Sequence, residues 1–246
     1  MDIKTKHNVH TPDLSNLYDP RRFEYEITKE IKKLILSKFS NVNKKNSEGI
    51  TPISYLFDLK RVTRALIKDL KKERYKFKTA KLNEIVVRGK VRVIYNHPLM
   101  DKIIIAVLSN LMHEIFREYL SYYSYAYQKG RGCLDAVQDL SNYVNKNLDK
   151  PGIYVVMLDV QSYTDEVYVG ENSSLWSLLD ELFSNKGISP SPYIMSLIRF
   201  IIRPEYLNSD GFMMSNLYGI PTGQAITAIL YNYYIYKLDH AVTALP

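Results

Sequence analysis

The chain has 246 residues, 46% of them hydrophobic and 24% charged, with a formal net charge of +7. It reads as a soluble, globular protein with ample length for a substantial core, and its basic balance points to an anionic partner, nucleic acid ahead of membrane. One cysteine, Cys133, excludes an internal disulfide framework and a cysteine-rich zinc site; no apolar run reaches membrane-spanning length and the residues after Met1 are polar, so the expected setting is the cytoplasm, with no signal peptide.

Residues 1–22 are polar, with Pro12 and Pro20, and predict an irregular arm that could also bind a partner. From Phe23 to Phe39, Ile27, Ile31, Leu34, Ile35 and Phe39 recur at helical spacing between lysines, the pattern of an amphipathic helix lying on a larger body. A polar linker, 41–49, leads to Thr51-Pro52, which reads as an N-cap followed by proline at the first helical position, and a second basic helix runs to Arg74.

Alternation over Tyr75–Ile94 around Arg88-Gly89-Lys90 predicts a β-hairpin with Lys90 and Arg92 near its tip or on the return strand. For Lys90, charge that blunts an exposed edge strand is a competing explanation. Pro98–Leu120 is apolar on more than one side and predicts a buried helix, with Asp101 serving its N-terminal dipole or cap. Tyr119, Tyr122, Tyr123, Tyr125 and Tyr127 follow and read as core. In Gln128-Lys129-Gly130-Arg131-Gly132 two glycines flank an arginine ahead of a helix from Cys133; a phosphate or a capping carboxylate would suit that place.

Pro151-Gly152 opens Ile153–Leu158, a short run without polar alternation that predicts a strand covered on both faces and ending in a carboxylate, Asp159. Helices are expected over Asn172–Ser184 and Ser191–Ile202. A hairpin or irregular loop around Asp210-Gly211 follows, then a helix from the Gly219-Ile-Pro-Thr-Gly-Gln224 block to about Ala241, whose tyrosines read as packing.

Four blocks in order, Arg92-Val-Ile-Tyr-Asn-His-Pro-Leu-Met-Asp101-Lys102, Tyr127-Gln-Lys-Gly-Arg131-Gly-Cys-Leu-Asp-Ala-Val137, the stretch around Asp159, and Gly219-Ile-Pro-Thr-Gly-Gln224-Ala-Ile-Thr, make the chain resemble bacterial reverse transcriptases of the retron, group II intron and phage-defence kinds. The resemblance covers roughly Tyr75–Ala241. It implies an α+β right-hand polymerase: an N-terminal arm and helix over 1–50, fingers over 51–150 and palm over 151–246. It also implies RNA-directed DNA synthesis with two Mg²⁺ ions about 4 Å apart, an RNA template, a DNA product and deoxynucleoside triphosphates. Asp159 would be the catalytic metal ligand, assisted by the carbonyl of Val160. Lys90, Arg92, Val160, Tyr163, Thr164 and Gln224 would contact the nucleotide, and Lys129, Arg131, Gly219, Pro221 and Gly223 the template.

Two features depart from the family pattern. No Asp-Asp pair occurs in the 246 residues, whereas the family draws its remaining metal carboxylates from a later hairpin with that signature. The expectation is therefore the front portion of a longer polymerase, inactive alone; a catalytically incomplete nucleic-acid-binding module, or one half of a split enzyme, is the alternative. The bulky aromatic that normally stands five residues after the metal aspartate is replaced by Thr164, with Tyr163 one residue earlier, which puts discrimination against ribonucleotides on Tyr163 or weakens it. Asp165 reads as a structural turn. The idiosyncratic block after Asp159, with no evident maturase or endonuclease region, tilts the setting towards antiviral defence. A protein or non-coding RNA partner is compatible with all of this, and the oligomeric state is left open.

Overall fold

The computed structural model describes residues 12–37, 51–87, 89–128, 130–149, 152, 155–160, 163–208, 210–221 and 225–244. Its fold is α+β: helices form the body, and two small antiparallel hairpins stand against it.

Helix α1, Pro20–Ser37, turns Phe23, Ile27 and Ile31 inward, as its apolar period predicts; it begins three residues earlier than expected, with Pro20 at its first position. Thr51 does not cap the next helix. Its carbonyl instead accepts from the Ser54 amide and hydroxyl, and a single helical turn, Ser54–Phe57, precedes α2, Leu59–Lys71. Hairpin strands β1, Lys81–Val87, and β2, Lys90–Asn96, pair with Val87 opposite Lys90, so Gly89, at φ 75°, lies in the two-residue turn.

Helix α3, Leu99–Phe116, is the centre of the body: it packs against α1 on one side and α7, Ala225–Thr243, on the other. Most of its circumference is buried and apolar, with Lys102, Asn110 and Glu114 on an exposed side, and one continuous core runs from Leu17 and Phe23 through Leu108 and Phe116 to Tyr233. Tyr231, Tyr233 and Tyr236 of α7 are buried in that core, as packing requires. Between these lie α4, Cys133–Lys146; α5, Ser174–Asn185, capped by the Ser173 hydroxyl; and α6, Pro192–Ile202, capped by Ser191. Strands β3, Glu205–Leu207, and β4, Met213–Ser215, form the second hairpin, joined to the first where the Ala80 amide donates to the Glu205 carbonyl at 2.9 Å.

The described part of the apolar run before Asp159 is not a buried strand: among the described residues, 155–160 have no ladder partner, and Val155, Val156, Met157 and Leu158 are 73%, 76%, 91% and 88% exposed, while Ile153 and Tyr154 lie outside the described residues. A β-run is buried only where a neighbouring strand takes up its amides and carbonyls, and among the described residues none lies beside it. Tyr122, Tyr123 and Tyr127 of the tyrosine cluster are exposed and not core, whereas Tyr119 packs against the core beside Phe116 and Tyr236. Asp101, read as serving its own helix, is fully buried and turned to another segment: it accepts from the Tyr75 hydroxyl and from the Lys78 amide at 2.9 Å.

Candidate functional site

A cavity of about 370 Å³ opens where the first hairpin faces the glycine turn ahead of α7. Leu82, Val91, Arg92, Val93 and Tyr95 supply the hairpin wall; Asp165, Tyr206 and the segment from Asn216 to Pro221 supply the other. The two walls come from stretches at least 70 residues apart in the chain, Tyr95 and Asp165 being the nearest in sequence.

The far wall is fixed by backbone pairing. After the helical turn Tyr163–Glu166, residues 167–169 run antiparallel to 217–219: the Val169 amide donates to the Leu217 carbonyl, and the Gly219 amide to the Val167 carbonyl, each at 2.8 Å. The rings of Tyr168 and Tyr218 meet at 5.3 Å across this ladder. The Asn216 side-chain NH2 donates to the Gly219 carbonyl at 2.6 Å, while the Asn216 backbone carbonyl accepts from Arg203 Nε at 3.1 Å. Gly219 has φ 83°, a left-handed conformation that explains glycine at this corner. The turn is then tied to α7, because the Thr227 hydroxyl donates to the Pro221 carbonyl and the Tyr231 hydroxyl to the Ile220 carbonyl at 3.2 Å. The hairpin wall is held at its base, where Tyr95 meets the ring of Tyr206 edge-on at 5.6 Å.

Two charged side chains face each other in this cavity. Arg92 Nη1 stands 3.9 Å from Asp165 Oδ1, with the side chains 36% and 69% exposed. An accessible guanidinium in a partly apolar pocket can bind a phosphate or carboxylate through charge-assisted hydrogen bonds. Tyr95, Tyr206 and Tyr218 give the same cavity aromatic surface that suits a nucleobase.

Of the residues singled out from sequence, Arg92, Gly219 and Pro221 are brought together here. Lys90 lies on β2 opposite Val87, and Tyr163 and Thr164 lie in the helical turn beside Asp165; the side chains of these three are outside the described residues, as are Lys129, Gly223 and Gln224 entirely. Asp159 and Val160 lie on the exposed stretch 155–160. Among the described residues no group of three His, Cys, Asp or Glu side chains is placed to hold a metal ion, so Asp159 stands there as a single candidate ligand and the described residues do not complete a two-ion site.

Arg131 lies apart from the cavity. Its guanidinium sits 4.3 Å from the ring centre of Tyr122 and 4.4 Å from that of Tyr125, donates to the Tyr122 carbonyl, and pairs with Asp139 at 3.4 Å. Asp139 also accepts from the Tyr125 hydroxyl at 2.7 Å. In this arrangement Arg131 organises the loop before α4 through two aromatic faces and a carboxylate. Asp165, Asn216 and the three cavity tyrosines escaped sequence reasoning. Asp165 carried only a turn signal, and the others act through long-range pairing that no local spacing encodes.

No family model matches the chain. It is 25% identical over 210 residues to the COX1/OXI3 intron 2 protein of Saccharomyces cerevisiae, an alignment covering 83% of this chain and 22% of that protein. The chain therefore spans about a fifth of the length of the curated relative it matches. Among solved structures it is similar, at 18% identity and a TM-score of 0.48, to chains of the Cas6-RT-Cas1–Cas2 complex and of its partial form, covering 92% of this chain and 21% and 34% of those chains. Among the described residues no helix is long and apolar enough to cross a membrane.

Proposed function

We infer that this chain is the fingers and palm portion of a reverse-transcriptase-like polymerase, and that the cavity at Arg92 receives the incoming deoxynucleoside triphosphate. The observation that carries this reading is the convergence of Arg92 from the first hairpin with Gly219 and Pro221 from the glycine block on one cavity of nucleotide-compatible size and chemistry. These residues belong to two blocks selected from sequence independently of any spatial information.

In this reading Arg92 binds phosphate oxygens, and the tyrosine-lined wall gives the base an apolar surface. The Gly219 corner lets the backbone come close to the nucleotide or to the template base that pairs with it. Asp159 is the residue of the chain proposed to hold one Mg²⁺, which would lower the pKa of a primer hydroxyl and neutralise the leaving phosphates. The template is RNA and the product DNA; the proposed setting is antiviral defence, towards which the idiosyncratic block after Asp159 tilts the reading.

The test is equilibrium binding of dATP to the whole chain and to Arg92→Ala. Loss of a charge-assisted contact is expected to weaken binding about 10-fold. Equal affinities for the two proteins would remove the pocket from the account.

A further inference from the structure

Asp165 faces the same cation that the proposed function gives to the nucleotide, and the two walls that carry them are held differently. Asp165 is mounted next to the 167–169 and 217–219 ladder, which is braced in turn by Asn216, Arg203 and α7. Arg92 is mounted on a two-stranded ribbon anchored at its base, through Ala80 and Tyr95, while Val86 and Val91 near its tip are exposed. A lone two-stranded ribbon is marginally stable in water. The Arg92 to Asp165 pair is thus a bridge between the outer half of the ribbon and a braced wall.

From this geometry, and resting on the assignment of the cavity to a triphosphate, we infer that Asp165 is a release device for the pocket. Its carboxylate competes with the ligand's phosphates for Arg92 and recaptures the guanidinium when the phosphates leave. The ligand gives up part of its binding free energy to break the pair, and a dissociating ligand leaves behind a cation that is already satisfied. Such competition acts on dissociation more than on association, because the approach of the ligand is governed by the net field of the whole protein.

The pair is partly exposed, so its effect is moderate: removal of the carboxylate charge should tighten binding about 2- to 5-fold. The experiment is titration of the whole chain with inorganic triphosphate at fixed ionic strength, for the wild type, Asp165→Asn, Asp165→Glu, Glu171→Gln and Arg92→Ala. Glu171 lies outside the cavity lining, so Glu171→Gln removes the same charge from the molecule without touching the pair. The inference expects tighter binding and a slower off-rate for Asp165→Asn, with wild-type values for Asp165→Glu and Glu171→Gln and weakened binding for Arg92→Ala. Unchanged or weaker binding by Asp165→Asn, with Arg92→Ala weakened, overturns the release role and leaves the pocket assignment standing. An equal gain from Glu171→Gln also overturns it, since net charge alone would then be responsible. Wild-type affinity in Arg92→Ala overturns the pocket assignment itself, and the release role with it.

Discussion

Asp101 stands in the first turn of α3, where a carboxylate ordinarily serves the helix dipole, yet its two oxygens are spent on Tyr75 and Lys78. Burial pushes its carboxyl pKa up, against the opposing pull of the Tyr75 hydroxyl and the Lys78 amide. The same burial, with the neighbouring carboxylate, drives the Tyr75 phenol far above its usual range, so it keeps the proton it donates to Asp101. Tyr75 is held from its other side too, where its carbonyl accepts from the Tyr193 hydroxyl at 2.9 Å. These contacts fix the approach of the chain to β1, and so the base of the hairpin that carries Arg92. Asp101→Ala strands a hydroxyl and an amide, and should lower stability by about 2–3 kcal/mol in chemical denaturation; a loss under about 0.5 kcal/mol would show that water replaces the carboxylate at no cost. From sequence, Asp101 was legible as a residue of the first block, but its partners were not, because its bond to Tyr75 spans 26 positions with no periodic signature.

At the scale of elements, what the sequence shows well is what local physics decides. The period of α1, the serine caps of α5 and α6, and the alternation and glycine turn of the first hairpin all depend on neighbours within a few residues. The stretch 155–160 is the opposite case. Its apolar character was read as two-sided burial, but a strand's burial belongs to the sheet it joins, and the sequence of one strand does not contain its partners. Helix α4 shares this condition: none of its described side chains is buried, and Leu134, Val137, Leu140 and Tyr143 are exposed. Amide hydrogen exchange should therefore separate the two regimes, with the amides of Val155–Leu158 exchanging close to the rate of an unstructured peptide and those of Ile104–Met112 in α3 protected by several orders of magnitude. Protection of Val155–Leu158 equal to that of α3 would contradict the described packing.

Over the whole molecule, the chemistry-bearing parts are distributed unevenly across the core. The helical body is built around α3, and the cavity lies to one side of it, where a ribbon, a helical turn and a glycine corner meet. This explains why the two blocks that line the cavity, around Arg92 and around Gly219, were visible in the sequence while the cavity was not: each block is local, whereas their meeting depends on the Tyr95 to Tyr206 contact and the 167–169 ladder. The polymerase reading gives the carboxylate of Asp159, on the exposed stretch 155–160, its catalytic role. The most direct measurement is incorporation of labelled dTTP on a poly(rA) template with an oligo(dT) primer in Mg²⁺, using the full native polypeptide that carries this chain, as the wild type and as Asp159→Ala. The account predicts RNA-templated incorporation by the wild type and a fall of about 100-fold or more in the variant, the scale expected when a metal ligand is lost. Incorporation that survives Asp159→Ala undiminished, or none by the wild type, would contradict it.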